Sequence, residues 1–395
     1  MVPIPHLATP PGEATPYVLP CFTGELWTIP CSNSTMRLLV TGNETNNAFA
    51  VVGTGGTKDQ PIGFHYHKEA HDVFLCLKGT LNVWANDEAR SLNPGDFASV
   101  PPGTIHQYQI ASSHTEFLGL IVPGGWEEFF RFIGEPYSGP LFPTNDNRNP
   151  FKVLIPKLMA ATEKFDMIPV REKKTFDPQP WNGTENKLPG KCENGGYFLK
   201  DGEGEKKVIG GTVLRALCRR EETDDRFSIY DILGSSIHAY KAFSKEVTFA
   251  DTHHAIYTVD GALKLTIGGE EVIAPAGETT FVPAGTKFKV EFETVYARAY
   301  VFANGGGIGE LLSGLGISYF IITDELWSTV SLQQIMNKRP LLKGPLHPPR
   351  SNPSSLSYTE PLKSRNEVSM NDRRVNIKEF DGSAIPQPFL DPSIM

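Results

Sequence analysis

The chain has 395 residues, a formal net charge of −8 and a hydrophobic fraction of 39%. A chain of this length is expected to hold two domains with an appendage. The acidic balance, with Lys and Arg scattered along the chain, argues against a basic surface for nucleic acid or for anionic membranes. The 37 Gly and 32 Pro favour short strands joined by many turns over a helical bundle.

Targeting and membrane segments are not evident in the sequence. Residues 1–10 lack the basic region and the apolar core that signal peptides carry. No stretch approaches 18 apolar residues, so the sequence predicts no membrane span and no membrane partner. We therefore expect a cytoplasmic protein.

The first half of the chain predicts a β-domain. From about residue 25 to residue 122, β-prone runs such as 72–77 and 117–122 alternate with turn sequences such as Asn93-Pro94-Gly95-Asp96. Apolar residues at steps of three and four predict a helix over 126–133. Residues 136–200 are rich in Pro, Asn, Lys and Gly and are predicted to be irregular, with one short helix near 155–165.

The short-strand pattern returns from about residue 210 to residue 302, followed by a predicted short helix at 308–315. The segment beyond about residue 337 cannot form a core of its own and is interpreted as a tail or a strap packed on the body. The predicted divisions are an N-terminal β-domain at 1–145, an irregular linker at 146–205, a second β-domain at 206–330 and a Pro-rich tail or strap at 331–395.

The two halves match each other at a constant offset of 182 residues. Glycines and prolines at turns need particular backbone angles, so their recurrence in one register without a gap indicates an internal duplication. The matched pairs are Gly79 and Gly261, Gly95 and Gly277, Asp96 and Glu278, Pro101 and Pro283, and Gly103 and Gly285.

A group of metal-ligating residue types lies in the first half. His65 and His67 are two apart, so in a strand both side chains face the same side. Asp72 begins the next β-prone run, and His106 follows a Pro-Pro-Gly turn. Three imidazoles and one carboxylate suit a divalent transition metal and can leave a coordination position open.

Two other residues of the same turn, Glu69 and His71, are alternatives to Asp72. Glu69 lies in the turn between His67 and Asp72 and could replace Asp72 as the working carboxylate. His71 is predicted to face outward from that turn rather than to bind the metal.

These residues resemble the paired motifs of the cupin superfamily, HxH(x)3–4E(x)6G and G(x)5PxG(x)2H(x)3N. The first motif corresponds to His65, His67 and Asp72 followed by Gly79, and the second runs from Gly95 to His106. The resemblance covers both halves of the chain. Within the superfamily, the arrangement is similar to that of the fungal quercetin 2,3-dioxygenases (flavonol dioxygenases). It implies an all-β bicupin, a duplicated double-stranded β-helix or jelly-roll barrel with short helices and an irregular linker.

The resemblance also implies site roles, with departures. His65, His67 and His106 would be the imidazole ligands, and Asp72 stands where the family has Glu, which is thought there to accept a proton from the substrate. The last position of the second motif, Asn in the family, is Ile110. Copper is the metal that the resemblance implies, and the ligand set alone also admits iron, nickel, manganese or zinc.

The second half is predicted to hold no metal. The positions that match the four candidate ligands carry Val247, Phe249, His254 and Phe288, of which three are apolar. We therefore expect one metal ion per chain, in the N-terminal barrel. No NAD or flavin site is predicted, because the glycine run at 305–309 lacks a βαβ unit around it.

An aromatic pocket is predicted beside the metal. By strand alternation Phe74 and Cys76 share the face of Asp72, and Tyr108 and Ile110 share the face of His106. Phe74, Tyr108 and Ile110 would form walls for a flat aromatic substrate, although small barrels are filled with such residues in any case.

The function predicted from these features and from the resemblance is that of a mononuclear-metal oxidoreductase. It would be an O2-dependent dioxygenase acting on an enolisable phenol, such as a flavonol or a polyketide-like compound of fungal-type secondary metabolism. The alternatives are a redox-neutral isomerase or cyclase at the same site and a non-enzymatic ligand-binding or storage bicupin. Whether the chain forms a homodimer stays open.

Overall fold

The computed structural model describes residues 3–144, 146–183, 187–191, 195–238 and 245–318. The predicted tail at 331–395 lies outside the described residues. Within them the chain folds into two β-barrels joined by a segment with two short helices, which confirms the predicted duplicated all-β architecture. No helix of the described part is both long and apolar enough to cross a membrane.

The first barrel is built from short strands that end at the predicted turns. Its strands are β1 (Tyr17–Leu19), β2 (Glu25–Thr28), β3 (Ser34–Val40), β4 (Ala50–Gly56), β5 (His65–Tyr66), β6 (His71–Lys78), β7 (Leu81–Ala85), β8 (Glu88–Leu92), β9 (Phe97–Val100), β10 (His106–Ile110), β11 (Thr115–Val122) and β12 (Glu135–Pro136). Its helices are α1 (Gly42–Thr45) and α2 (Glu128–Ile133), the second at the predicted place.

The segment between the barrels is more ordered than its composition indicates. It contains helices α3 (Pro150–Val153) and α4 (Ile155–Ala161) and strands β13 (Ile168–Pro169) and β14 (Tyr197–Leu199). β13 pairs with β5, and β14 pairs with β9, so both strands extend sheets of the first barrel. The backbone hydrogen bonds of these edge strands explain why a Pro- and Gly-rich segment is held in place.

The second barrel repeats the strand order of the first. Its elements are β15 (Lys206–Ile209), β16 (Thr212–Cys218), a 3-10 helix (Arg220–Glu222), β17 (Phe227–Gly234), β18 (Val247–Thr248), β19 (His254–Asp260), β20 (Ala262–Ile267), β21 (Glu270–Pro275), β22 (Thr279–Val282), β23 (Lys287–Phe292), β24 (Ala297–Asn304), α5 (Gly307–Leu315) and β25 (Ile317–Ser318). Each barrel has one eight-stranded sheet and one smaller sheet, of five strands in the first barrel and four in the second.

The turn after β6 shows the duplication at atomic detail. Gly79 and Gly261 have φ of +71° and +67°. A Cβ at either glycine would lie 2.1 Å from a backbone oxygen, that of His114 or of Tyr296, and these two residues are themselves 182 positions apart. Only glycine fits both the backbone angle and the space, which is why the register is visible in the sequence.

The two large sheets pack against each other, and each strand of the interface has two apolar faces. In β6, Val73 and Leu75 join the core between the barrels, whereas Phe74 and Cys76 join the core inside the first barrel. The period-2 alternation of a strand produces this division. The side chain of Asp72 therefore lies on the face of β6 that points into the first barrel, as the sequence predicts.

The barrels also exchange edge strands. β1 leaves the first barrel and pairs with β22 of the second, while β14 pairs with β9 of the first. Tyr17 in β1 donates its hydroxyl hydrogen bond to the Leu39 carbonyl, and Tyr197 in β14 donates to the Leu217 carbonyl. Each exchanged strand thus ties one barrel to the other.

We expect the exchanged strand β1 to contribute strongly to stability. Tyr17 is fully buried, so Tyr17→Ala is expected to lower the free energy of unfolding by about 3–5 kcal/mol, measured by urea denaturation. Phe22→Ala is the control, because Phe22 is 53% exposed and follows the same strand. An equal loss in both variants would show that β1 adds nothing through burial.

Candidate metal centre

Three imidazoles meet inside the first barrel. His106 in β10 pairs in register with His65 in β5, and His67 is the first residue after that strand. Their possible ligand atoms all lie within 4.8 Å of one another. His67 and His106 are 1% exposed, so the cluster is closed to bulk water on those sides.

The Nδ1 atom of each imidazole lies against a backbone carbonyl. His65 Nδ1 is 3.0 Å from the Gly63 oxygen, and His106 Nδ1 is 2.9 Å from the Thr104 oxygen. His67 Nδ1 contacts the Asp166 carbonyl. A carbonyl can only accept, so each Nδ1 carries a proton, and in the neutral ring Nε2 has the lone pair that ligation through Nε2 requires.

Asp72 adds a carboxylate to the cluster. Its Oδ2 lies 3.2 Å from His106 Nε2 and 3.3 Å from His67 Nε2. Burial raises the pKa of Asp72, but the adjacent imidazoles of His67 and His106 outweigh burial and hold the pKa below its usual range. Burial, with repulsion from the two other imidazoles, lowers the pKa of His65 well below its usual value. Burial lowers the pKa of His67, but the Asp72 carboxylate outweighs burial and raises it. A cation that binds here would displace any proton on Nε2, because imidazole ligands must be neutral.

The donor set fits a metal ion. Among the described side chains, His67 Nε2, His106 Nε2 and Asp72 Oδ1 are buried without a hydrogen-bond partner. Unpaired buried lone pairs are costly unless a proton or a cation lies between them. Two donor atoms that each bind one ion at about 2.0–2.2 Å lie roughly 3 Å from each other. The distances from Asp72 Oδ2 to His67 Nε2 and His106 Nε2 match this separation.

One residue of the site was missed by sequence reasoning, Asp166 in the linker. Its carboxylate accepts the backbone N–H groups of Lys68, Glu69 and Ala70 at 2.8, 2.7 and 3.2 Å, and its carbonyl faces His67 Nδ1. It lies 99 residues from His67, and no local pattern marks it. The pairing of β13 with β5, together with the packing of Phe165 and Met167 against α2, brings it to the site.

The two alternative residues of the turn occupy other places. Glu69 is exposed, whereas Asp72 is the carboxylate that lies beside the histidines. The prediction that His71 faces outward is wrong: it is fully buried, and its Nε2 is 2.8 Å from Ser99 Oγ. His71 alternates with Asp72 along β6, so it points to the interface with the second barrel rather than to solvent.

Aromatic side chains adjoin the imidazoles. The ring centroid of Phe74 lies 6.3 Å from that of His106 and 5.7 Å from that of Tyr108. Ile110 and Phe117 belong to the same core cluster, and Trp181 of the linker packs against it. The structure therefore places the three predicted wall residues in one apolar core cluster beside the imidazoles.

The matching place in the second barrel is apolar. Val247 pairs with Phe288 as His65 pairs with His106, which confirms the predicted register. The remaining imidazole, His254, packs between Phe249 and Phe288, and its Nε2 accepts the backbone N–H of Ile308 at 3.0 Å. Burial lowers the pKa of His254 to about 3. Because the Nε2 lone pair of His254 accepts this hydrogen bond at the start of α5, it is not available to a metal ion.

The described residues thus define a two-barrel protein with a three-histidine metal-binding site in one barrel. Residues 52–122 match the family model "Cupin domain". The first barrel is a cupin domain, and the chain as a whole resembles the quercetin 2,3-dioxygenases. The predicted resemblance to the cupin superfamily is confirmed.

The similar proteins include two with that name. The chain is 38% identical over 133 residues to quercetin 2,3-dioxygenase of Bacillus subtilis, an alignment that covers 34% of this chain and 39% of that protein. It is 23% identical over 350 residues to quercetin 2,3-dioxygenase of Aspergillus japonicus, covering 81% of this chain and 96% of that protein. A solved structure of Lactobacillus farciminis oxalate decarboxylase covers 76% of this chain and 89% of its own, with 14% identity and a TM-score of 0.46.

We expect Asp166 to control metal affinity. Asp166→Asn keeps the size of the side chain but removes one acceptor, so the turn after His67 loses part of its anchorage. The affinity for Co²⁺, measured by titration, is expected to fall by about 10–100-fold. Glu163→Gln is the matched control, because Glu163 is an exposed acid of the same segment. Equal affinities in both variants would contradict this role.

Proposed function

We propose that the chain is a metal-dependent dioxygenase that acts on an aromatic, enolisable phenol in its N-terminal barrel, within the predicted domain 1–145. The observation that carries the proposal is the cluster of His65, His67 and His106 with Asp72, set beside an apolar, partly aromatic core cluster. A flavonol or a polyketide-like compound has the flat ring and the acidic hydroxyl that such a site would accept.

The two relatives named quercetin 2,3-dioxygenase support the proposal. The alignment with the Aspergillus japonicus protein is long enough to include both barrels. The alignment with the Bacillus subtilis protein is shorter and has the higher sequence identity. The Asp at position 72, where the resemblance predicts Glu, is the reason to keep the substrate class broad. Its side chain is one methylene shorter, so its oxygens reach less far from the strand.

A divalent metal ion, when bound, would supply Lewis acidity for the substrate oxygen and a centre for the reaction with O2. The residues that would hold it are His65, His67, His106 and Asp72. Their part is to present fixed lone pairs, since three backbone carbonyls hold the Nδ1 protons in place. Pre-organised ligands avoid reorganisation during the reaction.

Asp72 would also accept the proton of the substrate hydroxyl. The substrate O–H bond breaks, the proton moves to a carboxylate oxygen, and the electron pair stays on the substrate oxygen. Asp72 Oδ1 is the candidate acceptor, because it is buried without a hydrogen-bond partner while Oδ2 faces His67 and His106. The partly aromatic core cluster would keep water from the resulting anion.

Both atoms of O2 would enter the substrate, which supplies all four electrons, so no nicotinamide or flavin is needed. The test is an oxygen electrode with purified, metal-loaded protein, a panel of flavonols and polyphenolic polyketides, and no added reductant. We expect O2 uptake equal to substrate loss. Metal analysis of protein from its native host, with electron paramagnetic resonance, would distinguish copper from iron, nickel, manganese or zinc.

Two outcomes would contradict the dioxygenase assignment. Substrate turnover at the same rate without O2 would indicate a redox-neutral isomerase or cyclase at the same site. Tight binding of the substrate panel without any turnover by metal-loaded protein would favour the ligand-binding alternative.

A further inference from the structure

The segment of residues 67–72, here called the ligand loop, runs from the end of β5 into the start of β6 and carries His67 and Asp72. It is contacted from the second barrel by Arg226, which lies just before β17. The Arg226 guanidinium donates to the Glu69 carbonyl at 3.1 Å and to His71 Nδ1 at 3.1 Å. It also donates to the carbonyl of Val122 at 3.4 Å, the residue that pairs with His71 across β6 and β11.

His71 is the part of the ligand loop that receives this contact. Since Nδ1 accepts from Arg226, Nε2 must carry the proton and donate to Ser99 Oγ. The ring of Phe227, next to Arg226, packs edge-on against the His71 ring at 4.9 Å. His71 is therefore fixed on three sides, two of them by the barrel that lacks the ligands.

Holding His71 holds Asp72, because the two residues are consecutive in β6. Aspartate has only two side-chain torsions, so its carboxylate position follows its backbone closely. A displacement of the loop by about 1 Å would move Oδ2 by a similar distance, and errors of that size can cost about 100-fold in rate. A short carboxylate thus depends on outside support for its backbone.

We propose that Arg226 is a positioning residue for Asp72, so that the second barrel, without the ligand set of its own, sets the geometry of the site in the first. The proposal rests on the proposed function in taking Asp72 as part of the metal site. The second barrel thus has a role beyond packing, which its Arg226 side chain exerts through the ligand loop.

The test uses the full chain with Co²⁺ as the probe, whose absorption spectrum reports ligand number and geometry. Arg226→Met keeps an unbranched apolar stem and removes all donors. We expect its Co²⁺ affinity to fall by about 10–100-fold and its spectrum to shift toward that of Asp72→Asn. Arg226→Lys, which can keep one of the contacts, is expected to lie between Arg226→Met and the wild type.

The matched control is Arg219→Gln. Arg219 also belongs to the second barrel and pairs there with Glu222 and Glu205. Its loss is expected to lower stability, read from thermal unfolding, while the Co²⁺ affinity and spectrum stay within about twofold of the wild type. If Arg226→Met does not fold, Arg226→Lys alone carries the comparison.

Two results would overturn the proposal. Unchanged Co²⁺ affinity and spectrum in both Arg226 variants, with a clear change in Asp72→Asn, would show that Asp72 needs no support from the second barrel. A change in the Arg226 variants that Asp72→Asn does not share would show that Arg226 acts through another ligand. Loss of O2 uptake is read separately, since a failed dioxygenase assignment leaves these metal measurements intact.

Discussion

Replacing His67 and His106 by alanine together is expected to abolish metal binding while both barrels stay folded. The wild-type chain is expected to bind one divalent ion, because the matching positions of the second barrel carry Val247 and Phe288. The affinity of the double variant should fall by more than about 100-fold, since loss of partners outside the ligand set already costs 10–100-fold. Elemental analysis after dialysis measures the stoichiometry, and circular dichroism follows the fold.

The control for this experiment is His114→Ala. His114 belongs to the same barrel, but its imidazole pairs with Glu116 at 2.7 Å at the opposite end of β6 from Asp72. The control should keep one ion per chain. Two ions in the wild-type chain, or one ion retained by the double variant, would contradict a single site built on these histidines.

Asp72→Asn is expected to reduce turnover far more than stability. The variant keeps the volume of the side chain and removes both the negative charge and the proton acceptor. Loss of a general base typically costs about 100-fold or more in kcat. Asp72→Asn also removes a charged metal ligand, so the metal content is measured together with kcat. The variant and the wild type are compared at saturating metal concentration.

Glu69→Gln is the matched control for the carboxylate. Glu69 is exposed and only three residues from Asp72, so its neutralisation should leave kcat within about twofold. The opposite pattern, with Asp72→Asn active and Glu69→Gln inactive, would assign the proton acceptor to Glu69 and would require the ligand loop to move when substrate binds.

The sequence was sufficient for the features that depend on local geometry. Spacing by two placed His65 and His67 together, because neighbouring strand residues alternate between faces. Turn glycines such as Gly79 and Gly261 revealed the duplication, since a positive φ with no room for a Cβ admits no other residue. The same alternation placed Phe74 inside the first barrel, beside Asp72.

The contacts that support the site were decided by the tertiary structure alone. Asp166 lies 99 residues from His67 and Arg226 lies 155 residues from His71, and both reach the ligand loop only after the linker and the second barrel have packed. His71 was misplaced for the same reason, because the surface that buries it belongs to the other barrel. A period in the sequence specifies which face of a strand a residue occupies, but which element covers that face depends on long-range packing that no local pattern records.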